Sequence, residues 1–200
     1  MARHWGNSPF STKGRALYLG LMVIGLLASR GPSAKPVTVA PEYDIKAAYL
    51  LLFTRYVIWP VESFASAGSP LVVGVVGRDP FGKVLDETFR EATVGKHKLE
   101  IRRIPDVASV AGCHMVFLAE TDLPELSEML LALGGKPILI VTEAKLAMEF
   151  GSVVNFVMEG NQLRFEVSML AAEKAGLKIA TPMLVSAKKV LKDPAAEKED

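Results

Sequence analysis

The sequence predicts an α/β fold: a three-layer sandwich around a mostly parallel, flavodoxin-like or Rossmann-like sheet, with an added antiparallel hairpin. Three observations predict it. Apolar strand-like runs alternate with helical stretches four times through the middle of the chain. The runs at 71–77 (LVVGVVG), 114–119 (HMVFLA) and 136–142 (KPILIVT) are nearly unbroken in apolar character, the mark of strands covered on both faces. Residues 151–176 read as two strands, a tight turn and a short helix. Right-handed crossovers between such units give a doubly wound sheet. The expected strand order is 2-1-3-4-5, with a crevice at the strand C-terminal ends.

Before that domain comes a segment of different composition. Residues 1–34 hold Arg3, Lys13, Arg15 and Arg30 and no acidic residue. Residues 16–28 (ALYLGLMVIGLLA) form an apolar core too short for a comfortable membrane span, which takes ~20 residues. This is the pattern of an export signal. Ala28 and Ala34 are the candidate cleavage sites, and an uncleaved N-terminal anchor is the alternative. Residues 35–41 read as a linker, and 193–200 as a frayed polar tail. Beyond the leader, 19 basic residues face 22 acidic ones. That mildly acidic body gives no support to nucleic-acid binding.

The body, 42–192, begins with a helix whose Ile45, Tyr49, Leu52 and Tyr56 recur at helical spacing. It should end near Trp59, because Pro60 disfavours helical geometry at the residue before it. The first strand follows at 71–77. Asp79 can cap a helix that starts at Pro80 and turns Phe81, Leu85 and Phe89 inward. Residues 98–104 alternate and suit a strand nearer an edge. Residues 105–112 form a short helix or turn, and 114–119 the third strand. The helix at 123–133 stops at Gly134-Gly135. Residues 136–142 are the fourth strand, and 143–150 a turn or short helix. In the hairpin, Gly160-Asn161 tolerates the positive φ of a two-residue loop. That turn sets Met158 opposite Leu163, Phe156 opposite Phe165 and Val154 opposite Val167 on an apolar face. The other face pairs Val157 with Arg164, Asn155 with Glu166 and Val153 with Ser168. A final helical stretch is expected at 177–191.

Two motifs invite chemistry and fail its requirements. Residues 77–83 (GRDPFGK) match the spacing of a phosphate loop, but Val84 replaces the magnesium-binding hydroxyl residue. Pro80 also removes a backbone donor, and Asp79 puts a negative charge where phosphate would lie. Cys113 and His114 are strand neighbours that point to opposite faces, so they do not chelate one ion together. Cys113 is the single cysteine and reads as a small buried hydrophobe, which excludes any intramolecular disulfide. No metal and no cofactor are expected. The candidate contact residues are Asn155, Arg164 and Glu166 on the hairpin and Arg78, Asp79 and Phe81 beside the first strand.

Several blocks carry a resemblance. IKAAYLLLFTRYVIWP, VVGVVGRDPFG, CHMVFLA, ILIVTE and GSVVNFVMEGNQLRFEVSMLAAEKAGLKIATPML occur in an order and spacing similar to the YfiR/HmsC family of periplasmic regulators. The likeness covers about residues 42–192, and its last block is the most specific. It implies regulation rather than catalysis. Such proteins bind the periplasmic domain of an inner-membrane diguanylate cyclase and hold it inactive. Release by an outer-membrane lipoprotein, or by envelope stress, raises cyclic-di-GMP and promotes biofilm. Some relatives use intramolecular disulfides in a redox response, which one cysteine cannot supply; an intermolecular Cys113 bridge stays open. The expected function is a periplasmic binding protein that represses such a cyclase, with a homodimer as a further expectation. The alternative is a periplasmic sensor of a small ligand in the crevice. An enzyme would need a catalytic constellation that these residues do not form.

Overall fold

A computed structural model describes residues 42–119 and 123–192; the leader, linker and tail discussed above lie outside the described residues. The chain opens with helix α1 (Glu42–Tyr56) and the two-residue strand β1 (Val57–Ile58). Strand β2 (Leu71–Val76), helix α2 (Lys83–Phe89) and strands β3 (Thr93–Val94) and β4 (His97–Ile104) follow. Next come β5 (Met115–Leu118), α3 (Leu123–Leu133), β6 (Leu139–Thr142), β7 (Val154–Glu159) and β8 (Gln162–Ser168). The last elements are α4 (Met169–Lys174), β9 (Lys178–Ile179), α5 (Thr181–Ser186) and β10 (Lys189–Leu191).

The main sheet runs β10-β8-β7-β6-β5-β2-β4-β3. Its parallel centre, β4-β2-β5-β6-β7, has the expected order 2-1-3-4-5. Strands β2, β5 and β6 are buried along their whole length, as runs of Val, Ile and Leu without polar alternation require. The hairpin register is the one its turn dictates, with Phe156 opposite Phe165 and Asn155 opposite Glu166. Gly160 takes φ +58 there. On one face, α1 lays Phe53 against Phe156 and Phe165. On the other, residues of α3 and α4 line a hollow together with Ile140 and Val153. Successive strand residues point to opposite faces, so Val153 and Phe156 mark the two helical layers of the sandwich.

Three expectations are corrected. Helix α1 ends at Tyr56 rather than near Trp59, because Val57 and Ile58 pair antiparallel with Ile179 and Lys178 of β9. The final helix at 177–191 is instead β9, a short α5 and β10. Strand β10 lies parallel to β8, so the hairpin is not the sheet's edge. Helix α2 starts at Lys83, not Pro80. Asp79 Oδ1 accepts from the Phe81 and Gly82 amides at 2.7 and 3.3 Å, closing a turn before Gly82 enters the helix at φ +55. The inward side chains Phe81, Leu85 and Phe89 are buried as expected.

Gly74 in β2 shows how tightly the sheet centre is filled. A Cβ there would meet Ile104 Cδ1 at 2.7 Å and Cys113 Sγ at 3.1 Å. Gly74→Val is expected to lower stability by about 1–3 kcal/mol through overpacking. A urea midpoint equal to that of the parent protein would refute this.

Candidate functional site

Parallel strands bring their C-terminal ends to one side of the sheet, and the strand order turns at β2 and β5. A crevice opens where such a turn occurs. Here it encloses about 350 Å³ and is lined by Tyr43, Gly77, Arg78, Leu118, Met129 and Glu143, among others. A neighbouring hollow of about 460 Å³ is lined by Lys46, Glu143, Asn155, Val157, Met158 and Lys188, among others. Glu143 borders both.

The wall between the two hollows is built around one buried cation. Lys46 is 3% exposed and bridges the carboxylates of Glu42, one helical turn back, and Glu143, just past the end of β6. The Tyr43 hydroxyl donates to Glu143 Oε1 at 3.1 Å, and Lys46 Nζ lies 4.4 Å from the Tyr43 ring centroid. Burial alone would push the Lys46 ammonium down, but the hydrogen bonds it donates to Glu143 and Glu42 outweigh it and hold the group above its ordinary value. Burial and the Glu143 charge push the Tyr43 phenol up. Lys46 therefore stays a cation and Tyr43 stays a neutral donor. The arrangement fixes charge and joins α1 to β6; it poises neither Lys46 nor Tyr43 as a base.

Beneath this wall runs a buried polar chain. Thr142 Oγ1 donates to Asn155 Oδ1 at 2.7 Å and lies 2.8 Å from Ser152 Oγ, which bonds Val154 O at 2.8 Å. Every polar side chain in it has a partner, as burial demands.

The residues singled out in the sequence divide between several surroundings. Arg78 is exposed on the crevice lip and makes no ion pair among the described residues. Asp79 is tied down: besides its turn bonds, its Oδ2 accepts from Arg103 Nε at 2.8 Å. The same guanidinium grips Asp86 through two bonds of 2.9 and 2.7 Å, which holds that carboxyl below its usual range. Phe81 is buried edge-on to Tyr43 and Phe117, with ring centroids 5.3 and 4.9 Å away. Asn155 shares a face with Glu166 but is buried, because β6 covers it at Thr142. Arg164 pairs with Glu159 at 3.9 Å rather than with Glu166, and Lys188 reaches Glu159 at 3.4 Å. Glu166 lies opposite Asn155 in β7 and Lys189 in β10. The structure thus brings Arg78 and Asn155 to the same end of the sheet and leaves Arg164 and Glu166 on the hairpin surface.

Lys46, Tyr43 and Glu143 are what the sequence reading missed. A signal existed: Lys46 is a cation beside the apolar stretch of α1, and Glu143 is the first polar residue after a buried strand's Thr142. Each invites a partner, but nothing local says that they partner each other.

A family model described as YfiR/HmsC-like matches residues 43–188. The chain belongs to the YfiR/HmsC-like family. Members of the YfiR/HmsC-like family are periplasmic regulators of diguanylate cyclases, not enzymes. Among solved structures, a conserved domain protein from Vibrio cholerae O1 biovar El Tor is similar, with TM-score 0.51 and 12% identity. The match covers 74% of this chain and 60% of that one, so it shows the fold alone. An ABC domain in complex with L-Trp from Streptococcus pneumoniae gives TM-score 0.42 at 10% identity, covering 60% of this chain and 55% of its own. This chain spans less than two thirds of either structure's length. No curated protein matches it. Among the described residues of this YfiR/HmsC-like chain, no helix is long and apolar enough to cross a membrane.

Proposed function

We propose that this protein is exported by its N-terminal segment and acts in the periplasm as a regulatory binding protein. It represses an inner-membrane diguanylate cyclase by binding that enzyme's periplasmic domain, and so lowers cyclic-di-GMP and biofilm formation. The observation that carries this reading is the YfiR/HmsC-like match over 43–188, nearly the whole described domain. Binding that favours the inactive conformer shifts the cyclase only as far as the two conformers differ in affinity. The contacts we assign are Arg164 and Glu166 on the hairpin surface and Arg78 on the crevice lip. Asn155, Asp79 and Phe81 shape these surfaces from within. An outer-membrane lipoprotein that competes for the same surface would release the cyclase.

The direct test is cyclase activity in membranes with and without this protein; equal activity at saturating protein sinks the proposal. Arg164→Glu should weaken co-purification with the cyclase. Its stability should change by no more than about 1 kcal/mol, because an exposed pair such as Arg164–Glu159 contributes little. Unfolding of this variant would instead make Arg164 structural.

A second reading rests on the crevice itself. A cavity of about 350 Å³ with an exposed guanidinium at its lip, in no ion pair among the described residues, suits a small anionic ligand. A metabolite that raises the melting temperature without any partner protein would favour this sensor.

A further inference from the structure

The opposite end of the sheet holds a second polar assembly, built around His114. Its backbone and side chain together bind four segments. The His114 amide donates to Val72 O at 2.9 Å, and the Val72 amide donates back to His114 Nδ1 at 3.0 Å. The side chain thus stands in for a backbone acceptor and extends the β2–β5 ladder by one rung. His114 O accepts from the Leu139 amide and from the Trp59 indole, both at 2.8 Å. Nε2 lies 3.1 Å from Ser63 O. Since Nδ1 accepts, Nε2 must carry the proton and donate to Ser63. This histidine is therefore held neutral in one tautomer.

Above the ring lies residue Phe64, in the strap 60–70 that joins β1 to β2. Phe64 stacks on His114 with centroids 4.3 Å apart and on His97 with centroids 4.0 Å apart. His97 Nδ1 is 2.7 Å from Ser69 O at the far end of the strap. Two imidazoles thus hold the strap down through one phenyl ring and two carbonyls. Ser63 Oγ is buried without a hydrogen-bond partner among the described residues, so it adds nothing to that hold.

We propose that His114 is an acid-opened clasp between this strap and the sheet. A proton on Nδ1 turns the acceptor of the Val72 amide into a second donor, and two donors cannot face each other in a buried site. The contacts on the strap side survive: imidazolium still donates to Ser63 O, and it is attracted to the Phe64 face. The ring therefore lets go of β2 and swings outward with the strap.

The surroundings set the direction of the pH response. Burial pushes the His114 imidazole below its ordinary 6.5, the Ser63 carbonyl opposes that shift, and His97 and Arg102 on β4 add to it. The facing segments of β2, β6 and the strap put no carboxylate against the ring; Glu62, the strap's acidic residue, is exposed. The open state therefore binds the proton more tightly than the closed one. Closure is favoured above about pH 6.5 and is lost as pH falls below it.

Amide exchange of the full chain at pH 7.5 and 5.0, corrected for intrinsic rates, tests the clasp. Val72 and the strap amides should lose protection in acid while Met115–Leu118 keep theirs. His114→Asn places an uncharged acceptor where Nδ1 lies, and should make the strap's protection independent of pH. Unchanged protection in the parent protein overturns the proposal, as does an acid loss that persists in His114→Asn. Should that variant fail to fold, the His114 ring resonances of the parent protein decide. Titration accompanied by shifts at Phe64 and Val72 supports the clasp; titration without them refutes it.

Discussion

Lys46→Ala is expected to cost about 3–5 kcal/mol of stability, read from urea unfolding, because it strips a buried carboxylate of its cation. Glu143 is only 6% exposed at its side chain, and Lys46 only 3%. Water cannot take the cation's place without opening the wall between α1 and β6. The loss is largely the penalty of leaving the Glu143 carboxylate buried without its lysine, not the intrinsic strength of the pair. It follows that removing both charges should be far milder than removing one. A Lys46→Met, Glu143→Gln double variant should recover most of the stability. If the single and double variants unfold at the same denaturant concentration, the pair does not stabilise in this way. Because the wall separates the two hollows, the single variant should also alter any binding at the crevice.

Phe53→Ala should destabilise by a similar ~3–5 kcal/mol, for a different reason. Phe53 is 1% exposed and touches three other rings: Tyr49, Phe156 and Phe165, with centroids 5.9, 5.8 and 5.1 Å away. Together with Tyr49, whose ring also meets Phe156 and Phe165, it seats α1 on the hairpin. Truncation leaves a cavity between a helix and a sheet, neither of which can collapse into it readily. A calorimetric melting point lowered by roughly 6–20 °C is the expected readout for a domain of this size. A drop of a degree or two would mean that the four-ring cluster repacks. Phe53→Leu, which refills most of the volume, should fall between the parent and the alanine variant.

How much of this was legible in the chain depends on how local the cause was. The hairpin register followed from Gly160-Asn161 and six apolar side chains, all within a few residues of one another. The inner strands followed from unbroken Val, Ile and Leu runs, and the end of α3 from Gly134-Gly135. The misread end of α1 and the misread final stretch have a distant cause. Val57-Ile58 became a strand because Lys178-Ile179 lies beside it, more than a hundred residues on. Residues 189–191 became a strand because β8 offers an open ladder, which no helical propensity count can reveal. At the site, Arg78 was legible as a residue beside a strand end. Asp79 read as a helix cap and does accept the next amides, but its second partner, Arg103, lies 24 positions away and was not legible. Lys46 and Glu143, 97 positions apart, could not be joined without the fold.

Strand β10 has a protective consequence. The three residues Lys189–Leu191 cover Glu166–Ser168 on the outer side of β8. Without them, the C-terminal half of a strand with an apolar inner face would offer its backbone amides and carbonyls to any passing chain, the usual starting point for fibrils. A short strand opening on a lysine is a poor template for such growth. The close of the domain thus works as a stopper, keeping the hairpin's hydrogen-bonding capacity inside one molecule.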